Sequence, residues 1–242
     1  MPRHCLRIGE TIANVVADEE FFAVAEFAVK QARKDILHYI RLDPHFQFSM
    51  EPTKVPEHAP AIVKKMAAAG QRVGVGPMAA VAGAIAQYAV EAMVERGATH
   101  TLFDNGGDIA MFLDRPAVVG IYSGKDGICN LGIRYTAMGE LLGVCTSSAT
   151  VGHSLSLGRT DASIILSKDV ALADAAATAL GNAVTKEDRD QVSKALSEAM
   201  IKGIDGAMII IGNTIGAAGE IPEIVRANVD YNLIAKGWEV EN

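Results

Sequence analysis

The chain has 242 residues, half of them hydrophobic and 21% charged, with a formal net charge of −7. That length suits one large domain over residues 1–242, or two intimately packed lobes, with a core that needs no disulfide or structural metal. The acidic balance and 5% aromatic content exclude a general nucleic-acid binder, a binder of anionic membranes and a base-stacking platform, so an anionic ligand must be held locally, by backbone amides or a metal.

In chain order, residues 5–16 alternate loosely and predict one or two short strands. The N-terminus "MPRHCLRIGETIANV" lacks a signal-peptide shape, and no stretch reaches the ~18 uninterrupted apolar residues of a membrane span, so a cytoplasmic location is expected. Cys5, Cys129 and Cys145 are odd in number and lack metal-ligand spacing, which reads as reduced thiols used as small hydrophobes. From Asp18, apolar residues at Phe22, Ala25, Phe27, Val29, Ala32, Ile36 and Ile40 recur near the helical period. "DPHFQFSMEP" predicts a turn and a short strand. A helix is expected over 57–69, stopping at Gly70, followed by a short strand in "QRVGVG". Pro77 opens an Ala-rich helix that is apolar nearly all round and ends at Gly97, the pattern of a buried helix. Strands are expected at 99–104, 108–113, 117–123, 129–135, 140–145 and 162–166, helices at 170–183 and 187–203, and a last hairpin over 206–225. Strands and helices come in blocks, which favours an α+β fold over a doubly wound sheet.

Four stretches could carry chemistry. In "VGVGPMAAVAG", Gly74, Gly76 and Ala79 fit a G-x-G-x-x-A pattern, where helix-start amides and the dipole favour a phosphate. The acid that a dinucleotide fingerprint requires is badly placed: Glu91 lies inside the helix and Asp104 comes late. A tight turn of small residues is the better reading, with an anion at this helix start still open. In "FDNGGDIAMF", Asn105, Gly106 and Gly107 between Asp104 and Asp108 make either a hairpin turn or a place where backbone passes close to a ligand that an acid faces. "CTSSATVGHSLSLGRTDAS" is a long hydroxyl-rich loop whose His153 and Arg159 are candidates for phosphate or acid–base work; it has no G-x-S-x-G elbow. In "ADAAATALGNAV", Asp174 and Thr178 are four apart on one helix face and could offer oxygen ligands to a hard cation. Equally, Asp174 could favour the helix's first turn while Thr178 packs.

The order of these pieces is what identifies a relative. A small-residue turn and helix, then "NGGDI", "TSS", "GHSLSLGRTD" and "ADAAATAL" resembles the ApbE-like flavin transferase superfamily, closest to its short uncharacterised cytoplasmic branch. The likeness covers about residues 73–184 and is strongest over Ala173–Ala179. It implies a mostly antiparallel α+β domain flanked by helices. It further implies that Asp174, Thr178 and the carbonyl near Ala79 ligate Mg²⁺, which would bridge the pyrophosphate of FAD. Gly76, Ala79, Asn105, Gly106, Gly107, Thr146, Ser147 and Arg159 would line the nucleotide, and Asp108, His153 or Asp161 would act as the base. The chain departs from the family where Ala82 stands in place of a Lys before Gly83, and where Ser156, Leu157 and an offset Gly158-Arg159-Thr160-Asp161 replace Asp-Pro-x-Thr-Gly. Two function classes follow: a Mg²⁺-dependent enzyme acting on FAD or a related pyrophosphate, moving FMN to an acceptor such as a protein hydroxyl, or a non-catalytic nucleotide-binding or interaction protein with a relic metal site. The apolar helices at 77–96 and 170–183 pack either within one subunit or across a homo-oligomer.

Overall fold

A computed structural model describes residues 1–124, 130–149 and 158–227. The first hairpin is β1 (Arg3–Ile8) and β2 (Thr11–Val16), followed by the long helix α1 (Phe22–Leu42). "DPHFQFSMEP" forms a one-turn helix, α2 (His45–Phe48), and not the expected strand. Phe46 is fully buried edge-on against Tyr39 of α1, and that burial holds the turn as helix. The second helix, α3 (Ala61–Val73), runs past Gly70 through "QRV". Gly74, at φ +78°, is the left-handed residue that ends it, with its amide bonded to the Gly70 carbonyl. The expected "QRVGVG" strand is therefore a helix end, and the dinucleotide-binding reading of Gly74 and Gly76 loses its strand.

Pro77 opens a 3₁₀ turn, Pro77–Ala80, that leads into α4 (Val81–Glu95). The span Pro77–Glu95 is long and apolar enough to cross a membrane by length and composition. In this fold it lies in the core, packed against α1, the sheet and α5 (Val170–Asn182).

The remaining strands are β3 (Thr101–Asp104), β4 (Asp108–Phe112), β5 (Ala117–Ile121), β6 (Leu131–Tyr135), β7 (Leu141–Ser147), β8 (Ala162–Ser167), β9 (Gly206–Ile211), β10 (Thr214–Gly219) and β11 (Glu223–Arg226). A further helix, α6 (Arg189–Ala199), precedes β9. Eight strands form one sheet in the order β1-β2-β3-β4-β7-β8-β9-β10, and three form a second, β11-β6-β5. Among the described residues every pairing is antiparallel. The α+β expectation holds, with one refinement: the strands of 99–145 divide between the two sheets.

The central strands of the large sheet are buried on both faces. Side chains alternate along each strand, so Phe103, Ala110, Cys145, Ile165 and Ile209 pack against the helices. Leu102, Met111, Val144, Ile164 and Met208 meet Ile133 and Tyr135 of the small sheet in a second core. This alternation decides which polar residues face α5: Asp108, Cys145, Ser147 and Ser163 share the helix side, and Thr146 lies opposite Ile164 on the other.

Candidate functional site

The site begins where α4 and α5 touch. Gly83 makes that contact possible: a Cβ there would lie 2.5 Å from the Val170 carbonyl oxygen and 2.7 Å from the Asp174 Cβ. At this crossing the Gly83 amide donates to Asp174 Oδ2 at 2.8 Å, and the Ala82 amide also bonds to the carboxylate. Asp174 thus caps the first turn of α4 from another helix, supplying an acceptor for orphan amides at the positive end of its dipole. The anion expected at this helix start is in the first place the protein's own carboxylate. Asp174 is also 8% exposed, so this cap lies within the core.

Beside it lies the β3–β4 hairpin. Gly106 and Gly107 adopt φ of +75° and +103°, in the region that glycine enters without strain, so both glycines of the pair are required. Asp104 Oδ1 accepts from the Gly107 amide at 2.9 Å, and the Asn105 amide donates to the Asp108 carbonyl at 3.0 Å. Asn105 Nδ2 donates to the Ala82 carbonyl at 3.1 Å, tying the hairpin to the first turn of α4. Both backbone groups of Ala82, the residue at the family's Lys position, are therefore engaged.

Asp108 sits directly opposite Cys145 in the β4–β7 register, on the face that looks toward α5. Its Oδ1 is buried without a hydrogen-bond partner. Burial raises the Asp108 carboxyl well above the usual carboxylate range, the nearby Asp174 raises it further, and the Cys145 thiol opposes the shift. Burial likewise pushes Asp174 up to about 7, against the pull of the Gly83 and Ala82 amides. Asp104 is raised by burial too. The Cys145 thiol is raised by burial and then by Asp108 and Asp174, so it stays protonated, and its Sγ donates to the Val170 carbonyl at 3.6 Å. Two carboxyl groups, those of Asp108 and Asp174, and a thiol thus meet at one helix crossing, and among the described residues no Lys or Arg side chain forms an ion pair with Asp108 or Asp174.

The other sequence-predicted residues divide in two. The turn carrying Ala79 packs against α5, and Gly76 just before it lies under the Ser49 carbonyl, leaving no room for a side chain. Thr178 is half-buried one turn beyond Asp174. Ser147, Arg159 and Asp161 lie toward the C-terminal end of α5 and beyond it. Ser147 joins the buried Thr160 and Ser163 around Gly181, the Arg159 amide bonds to the Val184 carbonyl, and Asp161 Oδ2 accepts from the Gly212 amide at 2.7 Å. Gly181 is seven residues from Asp174, or roughly 10 Å along the helix. Thr146 turns to the opposite face of the sheet, though its amide bonds to the Gly107 carbonyl. His153 falls outside the described residues.

Sequence reasoning missed Cys145 and Gln87. Gln87 is a buried amide in a mostly apolar helix, and that contrast was the available signal. Nothing local marks Cys145, because its opposition to Asp108 is set by register between remote strands.

A family model described as AbpE bacteria matches residues 4–217. A UPF0280 protein of Methanocella arvoryzae is 48% identical over 96% of this chain and 94% of its own length. Another, of Methanothrix thermoacetophila, is 46% identical over 98% of this chain and 100% of its own. Among solved structures, the flavin transferase ApbE of Vibrio cholerae aligns with a TM-score of 0.53 at 10% identity, over 90% of this chain and 96% of that one. The apo flavinyl transferase ApbE of Pseudomonas stutzeri aligns at 0.50 and 14% identity, over 98% of both chains. At these identities the structural likeness establishes the ApbE-like fold.

Proposed function

This chain belongs to the AbpE bacteria family, and from that premise we propose that it binds FAD, or a related pyrophosphate nucleotide, together with Mg²⁺, and transfers FMN to a hydroxyl acceptor. The observation that carries this reading is the meeting of Asp108 and Asp174, buried at one helix crossing with no cation among the described residues to offset them. Structures rarely bury two facing carboxyl groups unless they are paired, protonated or metal-bound. The structural neighbours are flavin transferases, which suggests the ligand class.

The donors present suit Mg²⁺. Among the described residues, no three His, Cys, Asp or Glu side chains gather as a metal cluster. A hard cation would instead take one Asp174 oxygen, the Thr178 hydroxyl and the Ala79 carbonyl, with nucleotide phosphates completing an all-oxygen shell. Bound there, Mg²⁺ would supply charge neutralisation and polarisation of the phosphoryl oxygens. The chain's own groups would do the rest. The hairpin at Gly106–Gly107 presents backbone with no side chain to obstruct a nucleotide, and Asp108 holds or accepts a proton at its buried carboxyl. Ser147 and Arg159 serve the more distant part of the ligand. Cytoplasmic location and a protein acceptor belong to the same proposal.

A specific observation favours the non-catalytic alternative. At the family's Lys position, Ala82 offers only backbone groups, and both are engaged. The two readings separate in one experiment. The protein is incubated with FAD, Mg²⁺ and a hydroxyl-bearing acceptor, and AMP is followed by chromatography. Transfer joins FMN to the acceptor oxygen and releases one AMP per adduct. Stoichiometric AMP and adduct support the transferase; bound FAD without AMP leaves a binding protein; no bound FAD contradicts the transferase and leaves an interaction protein with a relic metal site.

A further inference from the structure

Resting on the cation reading above, we propose that Gln87 is a positioning residue that fixes the Asp174 carboxylate for the metal. The two helices cap each other. Gln87, 4% exposed, accepts through Oε1 from the Val170 and Ala171 amides of α5 at 3.1 and 3.4 Å. In return, Asp174 accepts from the Ala82 and Gly83 amides of α4. The first turn of α5 is then fully satisfied, because Asp169 Oδ1 accepts from the Leu172 amide and the Asp169 carbonyl from that of Ala173. Gln87 Nε2 donates to Glu91 Oε1 at 2.7 Å, which orients its amide so that Oε1 faces α5.

The spacing makes this a lock. Gly83 and Gln87 are four residues apart on α4, and Val170 and Asp174 are four apart on α5, so each helix gives and receives one turn apart. Gly83 brings the backbones into contact between the two caps. One cap alone leaves a pivot, and two prevent α5 from rotating or sliding on α4. Asp174 and Thr178 share one face of α5, so a rotation of α5 displaces both oxygen donors together. Small cations demand near-ideal geometry, and a ligand moved by a fraction of an ångström is lost from the shell.

A purely structural Gln87 would lower stability and leave the metal's grip unchanged. The test measures the Mg²⁺ concentration giving half of the FAD-dependent rise in melting temperature, for wild type and three variants. Gln87→Leu removes the acceptor. Gln87→Glu with Glu91→Gln keeps an acceptor on both amides and a donor–acceptor pair along α4. Leu196→Ala opens the core under α6, away from the crossing, and controls for general destabilisation. The expected result is at least a tenfold rise in half-saturating Mg²⁺ for Gln87→Leu, little change for Leu196→Ala, and recovery to within about threefold in the paired variant. A change in Gln87→Leu no larger than in Leu196→Ala overturns the proposal, as does a folded paired variant that fails to recover. A wild type without any Mg²⁺-dependent rise with FAD removes the cation reading itself, and this proposal with it.

Discussion

Asp174→Asn should make the protein more stable without ligand at pH 8 and abolish its cation-dependent behaviour. In the folded chain this carboxyl titrates at about 7, against an ordinary 3.8, with burial the leading cause. The folded state therefore holds a proton that the unfolded chain gives up between those values. The stability contributed by that proton is complete below about pH 3.8, falls as pH rises toward 7, and is gone above it. At ~1.36 kcal/mol per pH unit, the gap amounts to at most ~4 kcal/mol, and relaxation around a coupled pair reduces it to about 2. Asparagine keeps a side-chain oxygen for the Gly83 amide while removing the charge, and it relieves Asp108 of one cause of its own raised pKa. For a domain of this size, ~2 kcal/mol is roughly 4–8 °C in melting temperature. Thermal unfolding from pH 4 to 8, without ligand, should show the wild type losing stability relative to Asp174→Asn as pH rises, with the curves parallel above about pH 7.5. A variant less stable than wild type at pH 8 would refute the reasoning and leave Asp174 as a cap whose charge the fold uses.

Gly83→Ala should destabilise by about 2 kcal/mol or more, measured by urea unfolding, because the Val170 carbonyl lies 2.5 Å from the new Cβ and neither helix backbone can give way cheaply. Neutral behaviour would mean that the helices are not in contact there. Tyr135→Phe should be neutral or stabilising by up to ~1 kcal/mol in the same assay, since the Tyr135 hydroxyl is buried in the second core without a partner. A loss above ~1 kcal/mol would reveal a hydrogen bond that the fold depends on.

The sequence carried local features well and remote ones poorly. Pro77 and Gly97 bracket the buried helix, and the Asn105–Gly107 glycines mark a hairpin whose positive φ values require them. Asp174 and Thr178 are visible as one helix face at any level of reading. "QRVGVG" misleads because valine and glycine suit a strand end and a helix end alike, and tertiary packing chose the helix. Residues 45–48 are too short for any periodicity, and the burial of Phe46 decided their state. The division of the strands into two sheets depends on β4 pairing with β7 past the intervening β5 and β6, which pair with each other, and no local pattern encodes that choice. The same holds for the site: Gly83 and Asp174 are 91 residues apart, and their hydrogen bond sets the role of both. The family likeness implies roles for Asp174 and Asp108 but gives no hint of the cross-capping between α4 and α5 in which Asp174 takes part.

The central claim is that a cation and a pyrophosphate nucleotide share the Asp108–Asp174 crossing. Calorimetric titration of the ligand-free protein with FAD, at zero and at millimolar Mg²⁺, measures it most directly, with AMP as the comparison lacking a pyrophosphate. The account predicts that Mg²⁺ tightens FAD binding at least tenfold, that FAD tightens Mg²⁺ binding by the same factor, and that AMP shows little of either. FAD affinity that is independent of Mg²⁺, or no binding of FAD at any Mg²⁺ concentration, would contradict it.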